Sequence, residues 1–363
     1  MTDRHREDTP RKWRKNDTAV LAIEDIGRNG EGIGHAEGYT VFVKDTVPGD
    51  TVKVRIVKAG KQFGFGRLEE VMHPSPGRVQ PACPIARQCG GCQLQMMQYG
   101  EQLRWKEKKV QDDLERIGGF RVRREGSPAE NGGILCEPIA GMEEPFRYRN
   151  KALFLVAPGK DGRPKAGFYA GRTHVIIPCR DCLLGAEENG LFLQKVLEWM
   201  EREKVPAYDE ETGRGLVRHV LIRKSFRTGD FHICLIINGT VLPGQERLTD
   251  MLRQAADGHL AGISFSSNRT SGNTVMGERA VCIWGEPVLT DTLCSKGRDI
   301  SATFRISPNS FYQVNPRQTQ RLYEKVLEYA ALDGTETVAD LYCGIGTISL
   351  FLAARAEIGR AHV

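Results

Sequence analysis

The sequence predicts a multi-domain chain: a small antiparallel β-barrel of OB-like type, a central α+β domain carrying a cysteine loop, and the start of a Rossmann-like α/β domain. Three observations predict it. Short runs with period-two alternation fill the region up to residue 72, three cysteines punctuate an irregular Pro-rich stretch, and DLYCGIGTISL at 340–350 reads as strand, glycine turn and helix. At 363 residues, with 40% hydrophobic and 27% charged residues, the chain exceeds one ordinary domain and has the apolar content for packed cores.

The leader MTDRHREDTPRKWRKND is hydrophilic, and residues 1–16 are expected to be disordered. It lacks an apolar signal core, and nowhere does a run approach the roughly 18 apolar residues of a membrane span, so a cytoplasmic chain without membrane contact is expected. TAVLAIE, YTVFVKD, DTVKVRIVK and FGFGRLEEV then alternate apolar and polar residues, with GRNGEGIG and VPGD as turns between them, which gives a barrel over 17–72. HPSPGRVQPACPIARQCGGCQLQ has no periodicity and reads as a loop held by something other than apolar packing. From Met96 to Ile117 the pattern is helical, with Leu103, Val110, Leu114 and Ile117 on one side and Gly118-Gly119 as the stop; residues 120–135 read as a linker.

Strands dominate from 146 to 306 (RYRNKALFLVA, THVIIP, LVRHVLIRKSF, DFHICLIING, SATFRIS), with helical stretches near 186–204 and 243–257. Asn315 and Pro316 read as N-cap and first residue of a helix running through Leu322, Val326, Leu327 and Ala330. A buried strand, a Gly-rich turn and an apolar helix follow in TETVADLYCGIGTISLFLAARA.

The net charge of +5 permits a polyanion partner without demanding one. Residues 214–229 carry five Lys/Arg and no acid, and 44–67 carry six basic residues against Asp45 and Asp50, local excesses suited to a phosphate backbone. Along LVRHVLIRK, alternation puts His219 and Arg223 on one face, with Arg218 and Lys224 on the other; RNA contact is the expectation, a solvated edge strand the alternative.

Ten cysteines are too sparse for a disulfide scaffold. Cys83, Cys89 and Cys92 can converge on one centre, with a fourth ligand from elsewhere, Cys179 or Cys182. Spacing alone leaves an iron–sulfur cluster, zinc and unligated thiols open. In DLYCGIGTISL a strand ending at Asp340, then Gly344 and Gly346, lets a ligand approach backbone; a tight turn without ligand is the alternative. In SFYQVNP an exposed amide could meet a ligand, or the segment could serve only as staple and cap.

These motifs together carry a resemblance. The barrel with VPGDTVKV resembles a TRAM domain, CxxxxxCGGCxxQ resembles the cluster loop of RNA uracil-C5 methyltransferases, and SFYQVNPxQTxxLY with DLYCGIGTISL resembles their cofactor motifs; YRNKA and LVRHVLIR match as well. The chain is similar, over about residues 18–356, to the bacterial TRAM-containing, iron–sulfur 23S rRNA (uracil-5-)-methyltransferases. The resemblance implies a monomeric enzyme using S-adenosyl-L-methionine on a uridine of 23S rRNA. It implies a [4Fe-4S] cluster on Cys83, Cys89, Cys92 and Cys182, and cofactor contacts from Gln313, Asp340, Tyr342, Gly344 and Gly346. Cys343 is not the family's nucleophile, while Cys136, Cys234, Cys282 and Cys294 match nothing and read as core thiols. The implied domains are 17–72 (barrel), 73–92 with 126–308 (central), and 93–125 with 309–363 (methyltransferase).

Uracil carbon 5 is a poor nucleophile, so the family's chemistry adds a cysteine thiolate to carbon 6, methylates carbon 5 and removes its proton with a carboxylate base. In the family both groups follow the DLYCGIG strand at a distance. Here 17 residues, 347–363, follow Gly346, and EIGRAHV resembles read-through of a sequencing adapter. The expectation is therefore a truncated reading frame holding no catalytic residue, inactive alone and with a poorly packed C-terminal segment. The competing reading is a non-catalytic RNA-binding iron–sulfur protein.

Overall fold

A computed structural model describes residues 13–126, 132–272, 274–295 and 300–356. They fall into two compact units, Met1–Glu143 and Glu144–Val363.

In the first unit β1 (Thr18–Ile26), β2 (Gly32–Ala36), β3 (Tyr39–Val43), β4 (Thr51–Ala59) and β5 (Phe63–His73) close a barrel in the order β1-β2-β3-β5-β4. Four pairings are antiparallel, but β3 and β5 run parallel. Alternation places Leu21, Ile23, Val41, Val43, Val52, Val54 and Ile56 inside. The expected disordered leader is shorter than residue 16, because Trp13 joins this core and the Asn16 amide donates to the Ile56 carbonyl at 2.8 Å. Its residues 1–12 lie outside the described residues.

The VPGD turn is closed by Asp50, whose carboxylate is fully buried. It accepts from the amides of Val47 (2.7 Å) and Ser75 (2.8 Å) and pairs with Arg78 at 2.6 Å.

The helix α1 (Tyr99–Asp112) widens into a π-helical last turn, Asp113–Ile117, before Gly118 and Gly119. Its expected apolar face is not the one it uses: Val110 and Ile117 are exposed. Trp105 holds it instead, packing with Ile26, Val47, Met96 and Met97 and donating its indole N–H to the Ile26 carbonyl at 3.2 Å. An aromatic that buries its ring and also satisfies its N–H outweighs scattered aliphatic residues on a highly charged helix. The stretch read as a linker contains a parallel ribbon of β6 (Val122–Arg124) and β7 (Ile134–Cys136).

The second unit is built on a seven-stranded sheet in the order β10 (Ile176–Pro178), β9 (Pro164–Tyr169), β8 (Lys151–Pro158), β11 (Val217–Lys224), β12 (Phe231–Ile237), β13 (Leu260–Ser267), β14 (Ala280–Gly285). Only β12 and β13 pair in parallel, joined by the crossover helix α3 (Gln245–Ala256). With α2 (Asn189–Arg202) it covers one face, around Phe154, Phe192, Trp199, Ile222, Ile233, Leu235 and Leu248.

The hairpin β15 (Leu289–Cys294) with β16 (Ser301–Ile306) supports α4 (Pro316–Ala330) and α5 (Thr347–Ala353). The strand expected before Asp340 does not form; among the described residues it has no partner strand, and a lone strand leaves its backbone groups unpaired. The expectation of a poorly packed C-terminal segment holds for its turn, where Leu341 and Tyr342 are exposed, and fails for α5, whose Phe351 and Leu352 are buried against Tyr323, Leu327 and Phe304. EIGRAHV, residues 357–363, lies outside the described residues. No helix among the described residues is long and apolar enough to cross a membrane.

Candidate functional site

The SFYQVN segment is held by polar anchors. Tyr312 is buried and donates its hydroxyl to Asp291 Oδ2 at 3.1 Å, while Ser225 Oγ donates to Asp291 Oδ1 at 2.7 Å. Burial of that carboxyl, only partly offset by these donors, raises its pKa. From the other side Asn150 clamps the backbone: its amide donates to the Val314 carbonyl and its Nδ2 to the Gln313 carbonyl, both at 2.9 Å. Gln313 is thus fixed by its main chain with its side chain half-buried, while Phe311 projects outward, 76% exposed.

Two residues later Asn315 caps α4, accepting from the Gln318 amide at 3.1 Å with Pro316 at the first helical position, as the sequence predicts. Asn315→Ala is expected to cost about 1 kcal/mol; chemical denaturation followed by far-UV circular dichroism measures it, and an unchanged midpoint would refute the cap's contribution.

The turn 340–346 is tied to its helix by Asp340, which accepts from Ser349 Oγ at 2.7 Å. Gly344 and Gly346 adopt φ of 57° and 76°, the left-handed region that disfavours a side chain, and nothing stands within 4 Å of where a Cβ would be. Backbone is therefore bare and open on this turn, with the Tyr342 ring 98% exposed beside it. Helix α4 links the two segments: Asn315 at its start follows Gln313, and farther along it Tyr323 bonds Thr347 Oγ1 at 2.6 Å and sets its ring 5.3 Å from that of Phe351.

In the first unit Cys83, Cys89 and Cys92 are half-buried on a loop in which residues 80–95 contain no buried side chain. The Gly91 amide donates to Cys89 Sγ at 3.4 Å, and the Cys83 amide donates to Gln95 Oε1 at 3.2 Å. A cleft of about 390 Å³ opens beside Cys92, with Arg78, Arg87 and Glu70 among its lining. Three soft thiols on one loop suit an iron–sulfur cluster by donor chemistry. Among the described residues, however, no three His, Cys, Asp or Glu side chains are gathered as a metal-holding group. Cys182 belongs to the second unit, on a turn where Arg147 bonds Asp181 at 2.5 Å and the Cys182 carbonyl at 3.2 Å. Of the thiols read as core, Cys234 is fully buried, and burial pushes its pKa to about 12. Cys136, Cys282 and Cys294 are half-buried because each sits on a short peripheral or edge strand.

The expectation that β11 offers its basic residues to RNA is not met, and the edge-strand alternative fails too, since β11 lies between β8 and β12. Arg218 is buried, stacked 4.3 Å over the Tyr208 ring with its guanidinium on the carbonyls of Asn268 (2.9 Å) and Thr270 (2.8 Å). Arg223 is buried and donates to the Ser310 and Pro308 carbonyls; burial lowers its pKa to about 10. Lys224 pairs with Glu188 at 2.5 Å, and His219 is largely enclosed. A bulge between Val217 and His219 shifts the alternation, so Val217 joins Val220 and Ile222 on the helix-covered face. The anchors Asp291 and Asn150 carry no local signal of their own, although Asn150 stands in the YRNKA motif.

A TRAM domain model matches residues 12–68. An uncharacterised RNA methyltransferase of Halalkalibacterium halodurans is 42% identical over 343 residues, 94% of this chain and 71% of its own length. Another, from Clostridium tetani, is 40% identical over 344 residues, 95% of this chain and 70% of its own length. Among solved structures, a Pyrococcus abyssi tRNA (uracil-54, C5)-methyltransferase in complex with S-adenosyl-L-homocysteine aligns with a TM-score of 0.65 and 25% identity, covering 93% of this chain and 70% of that one. By sequence relationship across nearly its whole length, the chain belongs to the RNA methyltransferase family.

Proposed function

We propose that this protein serves S-adenosyl-L-methionine-dependent methylation of carbon 5 of a uridine in 23S rRNA. The observation that carries the reading is the open turn at Gly344 and Gly346 with the bare Tyr342 ring, in a chain related to RNA methyltransferases and to a uracil C5 enzyme solved with S-adenosyl-L-homocysteine.

The cofactor supplies the methyl group. Gln313, Asp340, Tyr342, Gly344 and Gly346 form one wall for it: left-handed glycines admit the ligand to backbone, Tyr342 offers a ring face, and the Gln313 amide can orient a polar edge. Cys83, Cys89 and Cys92 are assigned to a [4Fe-4S] cluster on donor chemistry and resemblance, in a structural role. The attacking thiolate and the base are assigned to neither this wall nor the cysteine loop.

The test incubates the protein with tritiated cofactor and either 23S rRNA or tRNA stripped of modification. Label at carbon 5 of a 23S rRNA uridine is expected. Label confined to tRNA overturns the substrate, label on another base overturns the chemistry, and no label on any RNA overturns the whole reading.

A further inference from the structure

Strand β5 opens with Phe63-Gly64-Phe65-Gly66, and pleating must send one of the two pairs inside. The glycines go in. A Cβ on Gly66 would fall 3.1 Å from Val41 and 3.3 Å from Val43 and Val54, and one on Gly64 would fall 2.9 Å from the Lys58 carbonyl. The barrel wall there approaches its neighbours as bare backbone, and the large apolar side chains are left outside. Phe63, Phe65 and Phe42 of the adjacent parallel strand form an outer cluster, with ring centroids 5.7 Å (Phe42–Phe63), 5.7 Å (Phe42–Phe65) and 5.9 Å (Phe63–Phe65) apart. Phe63 remains 46% exposed. A barrel built for stability alone would reverse this pattern.

Exposed cations border the cluster. Lys58 stands across from Phe65 in the strand register, Lys44 and Arg67 follow Phe42 and Phe65 by two residues each, and Lys61 lies in the turn before Phe63. None of the four has an ion pair among the described residues, and the nearby Glu69 is already taken by Arg55 at 2.5 Å.

We propose that this outer face is a stacking platform for unpaired bases of the RNA substrate, with the Phe63 and Phe65 rings receiving nucleobases and Lys44, Lys58, Lys61 and Arg67 holding the flanking phosphates. This rests on the reading of the protein as an enzyme that acts on RNA. Rings interleaved with unneutralised cations match a single strand, which offers both a π-face and a negative charge at each nucleotide, whereas a duplex hides its base faces. An apolar protein surface would leave the four cations unpaired.

Fluorescence anisotropy with a single-stranded oligouridylate of about 12 nucleotides and a duplex of equal length tests the platform on the 363-residue chain. Phe63→Leu is expected to weaken single-strand binding roughly tenfold or more, with the salt dependence and duplex binding unchanged, and Phe63→Trp is expected to restore it. Lys58→Gln with Lys61→Gln is expected to lower the log–log salt slope by about 1.4. Thermal melting of Phe63→Leu checks folding; should it unfold, the Phe63→Trp variant decides, since a larger ring must bind at least as tightly as wild type. If wild type binds RNA with steep salt dependence while Phe63→Leu stays within twofold of it, the platform is refuted and the RNA reading survives. If no RNA form binds, the RNA reading itself falls. If Phe63→Leu instead dissolves a self-association detected by ultracentrifugation, the face is a protein interface and the proposal is wrong.

Discussion

Acidification from pH 6.5 to pH 4 is expected to unfold the second unit while the first remains folded. His219 and His232 are enclosed in the sheet, and burial, with Arg218 beside the one and Arg223 beside the other, lowers each pKa from 6.5 to about 4. Glu210 near His219 and a backbone hydrogen bond to Glu286 at His232 oppose the shift without cancelling it. Between these values the unfolded chain binds protons that the folded chain refuses, so stability falls as pH falls from 6.5 through 4. Each histidine represents about 3 kcal/mol across that window, and the two together approach the whole stability of an ordinary domain. Two tryptophans report on each unit: Trp199 and Trp284 in the second, Trp13 and Trp105 in the first. With Trp13 and Trp105 replaced by Phe, fluorescence should show a transition in this range, and His219→Gln with His232→Gln should move it to lower pH. A transition that stays in place in the double variant would refute the assignment.

Asp50→Ala is expected to destabilise the first unit by about 3 to 5 kcal/mol, since removing one member of a buried pair strands the other. The substitution leaves Arg78 beside an apolar hole and two amides, of Val47 and Ser75, without their acceptor. Burial alone would raise the Asp50 pKa, but Arg78 and these two amides more than offset it, so the folded value lies below the ordinary 3.8. The stabilisation is accordingly present above about pH 4 and is lost as pH falls through the depressed folded value. The first unit is therefore expected to keep this contribution at pH 4, where the second has lost that of its two histidines. Urea titration followed by Trp13 and Trp105 fluorescence measures the loss; a cost below about 1 kcal/mol would mean that water replaces the carboxylate at little penalty.

The barrel was legible because alternation in TAVLAIE and DTVKVRIVK states a burial face directly, and the cap at Asn315 because its chemistry is local. The helix around Trp105 was misread because spacing counts aliphatic residues, whereas one aromatic with a satisfied N–H settles the docking. Strand β11 shows a deeper limit. Arg218 and Arg223 look like phosphate ligands in a one-dimensional string, and only the sheet order reveals that their partners are carbonyls of residues 268, 270, 308 and 310. At the candidate cofactor wall the motif residues were legible, but what holds them, Asp291 and Asn150, was not. Their bonds span 21 residues from Asp291 to Tyr312 and 163 from Asn150 to Gln313.

The anchorage of the SFYQVN segment bears on how this protein can be recombined. Its main chain is fastened to Asn150 and Arg223 of the sheet and its tyrosine to Asp291 on the hairpin. A chimera that takes residues 307 onward from one homologue and the sheet from another would inherit the glutamine without the scaffold that aims it, unless these anchors travel with it. The heritable unit is therefore the segment together with its three distant fasteners, Asn150, Arg223 and Asp291, and the crossover points that respect it lie before residue 150.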